Sequence, residues 1–70
     1  MSIFGERLKE LRIEKGLSQK ELATELDNKI TGSAIGLWEQ NKRVPNFDAV
    51  IVIAKYFKVT TDYLAGLEDY

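Results

Sequence analysis

The sequence predicts an all-α fold: five short helices packed into one compact unit. Three observations predict it. Apolar residues recur three and four positions apart in successive windows, the spacing that lines one face of a helix. Ser18, Thr31, Asn46 and Thr60 each stand just before such a window, where a side-chain oxygen can accept from the free N–H groups of a first turn. The apolar–polar alternation of a half-buried strand is absent from the sequence.

Residues 3–15 form the first expected helix. Phe4, Leu8 and Leu11 make an amphipathic stripe. Glu6, Arg7, Lys9, Glu10, Glu14 and Lys15 fall mostly on the other face, with Glu6–Lys9 and Arg7–Glu10 spaced to pair, and read as a solvated surface. Gly16 suits the left-handed position that ends a helix, and Leu17 turns back toward the core.

A second helix is expected over about 18–27. Ser18 and Glu21 have the spacing of a capping box, and Leu22, Ala23 and Leu26 give an apolar face. Thr31 caps a third helix, about 32–41, whose Ile35 and Trp38 point inward. The loop Asn41-Lys42-Arg43-Val44-Pro45 follows. Pro45 lacks an N–H and pushes Val44 toward extended geometry, so no helix crosses this point.

Asn46 caps a fourth helix over 47–57, with Phe47, Val50, Ile53, Ala54 and Phe57 as its buried stripe. Ile51, Val52 and Tyr56 widen its apolar surface beyond one stripe. Thr60 caps a fifth helix over 61–65, with Asp62 at the positive end of its dipole. Gly66 ends it, and residues 67–70 read as a frayed tail.

Seventy residues make a single domain, 1–70. The chain has neither Cys nor His. Disulfides and Cys- or His-ligated metals are excluded, and so is the usual general base near neutral pH. An enzyme is therefore not expected, and no metal, cofactor or small-molecule ligand is implied. Hydrophobic residues, 44% of the chain, suffice for a helical core. No signal peptide follows Met1, and the longest apolar run, 49–54, is too short to span a membrane. A cytoplasmic location is the default.

The net charge of −1 does not by itself favour a nucleic-acid partner. Its distribution matters more. Residues 1–26 balance five basic against five acidic side chains. Residues 27–43 carry Lys29, Lys42 and Arg43 against Asp27 and Glu39, net +1. Residues 44–70 carry Lys55 and Lys58 against Asp48, Asp62, Glu68 and Asp69, net −2. The basic middle coincides with two short capped helices around a turn, a unit that can present its second helix to a DNA groove.

The string GLSQKELA, an Ile and a Trp-Glu pair at helical spacing, then Asn-Lys-Arg and Pro45, resemble the Cro/C1-type (Xre-like) helix-turn-helix domain of phage repressors and bacterial transcriptional regulators. The resemblance covers about residues 3–67, including the opening FGERLKELR and the closing VTTDYLAGL. It implies a lambda-repressor-like fold and sequence-specific binding of a double-stranded DNA operator, with repression as the expected outcome. The third helix would enter the major groove and the second would lie across the DNA backbone. Carried over by position, Gln19 and Lys20 would meet the backbone, Gln19 with a base edge also in reach. Thr31, Gly32, Ser33 and Leu37 would face the groove, and Asn41, Lys42 and Arg43 the phosphates. The resemblance also implies a partly buried ion pair between Arg12 and Glu39.

Two departures from the family pattern stand out. Asp27-Asn28-Lys29 replaces a single small residue in the turn, and Lys29 could add a phosphate contact. The expected reading helix offers Gly32, Ser33, Gly36 and Leu37, none of which makes a bidentate pair with a base. Gly36 costs about 1 kcal/mol relative to Ala inside a helix. Close approach to DNA and close packing against another helix both explain the two glycines.

A homodimer, at least on DNA, is expected. Val52 and Tyr56, with Tyr63, Leu67 and Tyr70, offer the apolar area for an interface. The alternative to a DNA reader is a protein-interaction module that kept the fold and lost base reading.

Overall fold

The computed structural model describes residues 3–26 and 29–69, and within them the chain forms five helices. These are α1 (Ile3–Glu14), α2 (Gln19–Glu25), α3 (Gly32–Glu39), α4 (Phe47–Phe57) and α5 (Thr61–Ala65). All four expected caps form. Ser18 and Glu21 complete their capping box, the Ser18 N–H donating to Glu21 Oε1 (2.8 Å) and the Glu21 N–H to Ser18 Oγ (3.0 Å). Thr31, Asn46 and Thr60 accept from Ala34, Ala49 and Tyr63 N–H groups.

Three helices are shorter than the periodicity predicts, α1 by one residue, at Glu14. α2 stops at Glu25, and Leu26 turns extended. α3 stops at Glu39, because Asn41 adopts φ +60° and closes the helix with a paired motif. Its N–H donates to Trp38 O and that of Lys42 to Leu37 O, satisfying two of the orphan carbonyls at the helix end. The same pair of bonds ends α1 at Gly16, α4 at Lys58 and α5 at Gly66.

The core is one cluster drawn from every helix, with Leu8, Leu22, Ile35, Ile53 and Leu64 wholly inaccessible. α3 packs on both α1 and α2, while α5 joins α1 to α4. The α1–α3 crossing is close at Gly5, where a Cβ would lie 2.5 Å from Trp38 O. Phe4 meets Trp38 edge to face, with ring centroids 6.4 Å apart. Leu17 packs against the cluster as expected.

Three expectations change. Phe47 is 70% exposed rather than buried. It lies about a third of a turn from Ile53 around α4, and Ala49, Ile53 and Ala54 form the buried face instead. Arg7 does not belong to the solvated face. Its guanidinium lies 4.2 Å over the Tyr63 ring. It donates to the carbonyls of Tyr63 and Glu68 and pairs with Asp69 at 3.9 Å. Residues 67–69 are consequently held against the domain rather than frayed. The Leu67 N–H donates to Asp62 O, and Thr60 Oγ1 to Glu68 Oε1 (2.6 Å).

Candidate nucleic-acid interface

The α2–α3 pair is joined by an ion pair and an amide. Arg12 of α1 reaches Glu39 at the end of α3, Nε donating to Oε2 (2.7 Å) and Nη2 to Oε1 (3.0 Å). The Arg12 and Glu39 side chains are 12% and 3% exposed. Arg12 Nη1 also donates to Leu17 O (2.8 Å), which fixes the chain just before α2. The hydrogen bond to Glu39 pushes the Arg12 guanidinium above its ordinary pKa; burial acts the other way, and the Glu39 charge adds to the rise. Gln19 Nε2 donates to the same Oε1 at 3.1 Å. One carboxylate therefore ties α1, α2 and α3 together.

Both glycines of α3 face α2. A Cβ on Gly32 would lie 3.2 Å from Lys20 Cα, and one on Gly36 would lie 3.1 Å from Gln19 Oε1. Of the two explanations open in the sequence, packing against another helix is the one seen.

The expected site residues fall into three places. Gln19, Lys20, Thr31, Gly32 and Ser33 line a single open groove of about 430 Å³ between the starts of α2 and α3. Among the described residues no carboxylate lines it, and Lys20 is the charged side chain in its wall. Asn41, Lys42 and Arg43 are exposed at the far end of α3, beyond its last helical residue, Glu39. Leu37, between them, is half-buried. Lys29 is not brought to this groove. It lines a different one with Ile30, Ala34, Trp38, Asp48 and Val52. Asp27 and Asn28 lie outside the described residues, so the lengthened turn is seen only at Lys29.

Two of the residues expected at a dimer interface, Tyr56 and Tyr63, have side-chain partners within the chain. Val52 is half-buried. Tyr56 donates to Glu25 Oε1 (3.3 Å) under Lys15 Nζ, which sits 4.9 Å from its ring. Tyr63 lies beneath Arg7. Leu67 is 76% exposed, and so are Val44 (83%) and Phe47, which the sequence reading did not single out as surface. Tyr70 lies outside the described residues. No helix among the described residues is long and apolar enough to cross a membrane.

Two short capped helices around a turn, tied to each other and to α1 by a buried brace, make a helix-turn-helix unit. The chain belongs to the helix-turn-helix family, whose profile matches residues 8–64, in its Cro/C1-type (Xre-like) class of transcriptional regulators. It is 39% identical over 66 residues to the HTH-type transcriptional activator BcrR of Enterococcus faecalis, covering 94% of this chain and 31% of that protein. It is 35% identical over 66 residues to the HTH-type transcriptional regulator ImmR of Bacillus subtilis (strain 168), covering 94% of this chain and 50% of that one. The chain thus spans 31% and 50% of the length of these relatives. Its fold matches the P22 c2 repressor crystallised with synthetic operator 9T. The TM-score is 0.84 at 24% identity, over 97% of this chain and 100% of that one.

Proposed function

We propose that the chain binds a double-stranded DNA operator sequence-specifically and acts as a transcriptional repressor, as a homodimer on a pseudo-palindromic site. The observation that carries this reading is the open groove between the starts of α2 and α3, lined among the described residues by Lys20 and polar groups without a carboxylate, beside the Arg12–Glu39–Gln19 brace. In this reading α3 enters the major groove. Thr31, Gly32, Ser33 and Leu37 face the base pairs, while Lys20, Lys29, Asn41, Lys42 and Arg43 meet the flanking backbone. Gln19 stands at the seam between the two sets. Phosphate neutralisation supplies affinity, and a few base contacts with DNA shape supply specificity. The role involves no catalytic step and no cofactor, and its place is the cytoplasm. The homodimer is assigned to exposed Leu67 with the half-buried Val52, Tyr56 and Tyr63.

The test is to sequence the duplex fragments that the purified chain retains from a random pool, then titrate the best with salt. A palindromic motif whose binding weakens steeply with salt is expected. A second reading, a protein-interaction module on the same fold, is favoured by the exposed Val44 and Phe47. Retention of no duplex even at low salt would select it.

A further inference from the structure

We propose that Gln19, delivered from α2 across Gly36, reads an adenine edge in the bound DNA, and that Gly36 and Glu39 are the positioning residues that set its amide. The inference rests on the DNA-binding reading above and names the residue that supplies its sequence preference.

Three observations meet at this point. First, Gly36 is buried although it carries no side chain, and what covers it is Gln19. A Cβ there would lie 3.1 Å from Oε1 and 3.5 Å from both Cδ and Nε2 of that residue. The amide therefore lies flat on α3, in the space a side chain of α3 would otherwise fill. Second, Gln19 Nε2 donates to Glu39 Oε1. A carboxylate can only accept, so Glu39 dictates which end of the amide faces it. Glu39 cannot turn away, since Arg12 holds both of its oxygens. Third, Gln19 is only half-buried and lines the open groove with Lys20, Thr31, Gly32 and Ser33.

With one amide hydrogen committed to Glu39, Gln19 retains a second N–H and the Oε1 lone pairs. A donor and an acceptor side by side match N7 and the N6 amino group of adenine in the major groove. Ser33 and Leu37 of α3 offer no bidentate pair. An amide fixed before binding also loses less rotamer freedom on contact. The sparse reading face of α3 is thereby explained: its Gly36 is a seat, and the reader sits in it from the neighbouring helix.

The experiment compares duplexes selected from a random pool by the wild-type chain, Gln19→Ala, Gly36→Ala and the double variant. Affinities are then measured for each base at every selected position. Gly36→Ala is suited to this because its Cβ meets only the far end of a flexible side chain, and alanine favours the helix. Melting followed by circular dichroism verifies that each variant folds.

The wild type is expected to prefer adenine at one position of each half-site. Gln19→Ala should lose that preference by about 5- to 150-fold, the worth of one bidentate pair, and leave other positions unchanged. Gly36→Ala should lose the same preference at the same position, and the double variant no more than either single one. Two outcomes overturn the inference alone: a wild-type motif that survives Gln19→Ala, or a Gly36→Ala variant that weakens all sequences equally. A wild-type chain that retains no duplex overturns the DNA-binding reading and this inference with it.

Discussion

Arg12 and Glu39 face each other across α1 and α3 through two parallel hydrogen bonds, with the carboxylate almost wholly withdrawn from water. Removing either partner leaves the other charged, buried and unpaired. Arg12→Ala or Glu39→Ala should therefore cost about 3–5 kcal/mol, a large share of the roughly 4–10 kcal/mol available to a domain this small. Replacing both by apolar residues of similar volume should cost far less. Urea unfolding of the two singles and the double gives the comparison directly.

Lys58 ends α4 at φ +58°, a conformation in which a Cβ crowds the following carbonyl. Its bonds with Ala54 O and Lys55 O are backbone-only and survive substitution. Lys58→Gly is expected to raise stability by about 0.5–1 kcal/mol, seen as a higher denaturation midpoint with unchanged slope.

Lys42 and Arg43 are exposed at the end of α3 and are assigned to phosphates. Each phosphate contact contributes about 0.9 to the slope of log affinity against log salt. Lys42→Ala with Arg43→Ala should flatten that slope by about 1.8 and weaken all sequences to similar extents. An unchanged slope would remove both residues from the interface.

Tyr56 titrates above its ordinary value, first because it is desolvated and then because the Glu25 charge and hydrogen bond oppose ionisation. The folded chain thus holds the phenolic proton more tightly than the unfolded one does. Its contribution to stability is complete below the ordinary tyrosine range, near about pH 10, and is lost as pH rises through the folded value. Glu25→Gln should shift phenolate absorbance to lower pH, and Tyr56→Phe should abolish that component.

What the sequence disclosed follows the range of each interaction. Caps at Ser18, Thr31, Asn46 and Thr60 reach three residues along the chain, and all four were legible. So were Gly16 and Gly66 as helix ends. Asn41 and Lys58 take the same left-handed turn without glycine, so α3 read as longer than it is. Arg7 was misplaced because local charges at helical spacing looked sufficient. Its partners, Tyr63 and Glu68, are 56 and 61 residues away, and no periodicity records them. Phe47 fits an apolar stripe by spacing, yet it lies about a third of a turn from Ile53, outside the face that α4 buries with Ala49, Ile53 and Ala54. Within the site, Arg12 and Glu39 were visible through family resemblance. The third member, Gln19 on Glu39, was not, and neither was the occupant of Gly36. The one available signal was the cost of a glycine inside a helix.

The seats at Gly32 and Gly36 bear on how far this surface is portable. As a string, α3 is only eight residues, Gly32–Glu39. Grafted onto another bundle, it would carry two vacancies and leave behind what fills them, the Lys20 backbone and the Gln19 amide. The smallest transferable module is α2 and α3 together with the Arg12 side chain that clamps them. Retargeting by helix exchange is accordingly expected to fail here where exchange of the whole braced pair succeeds.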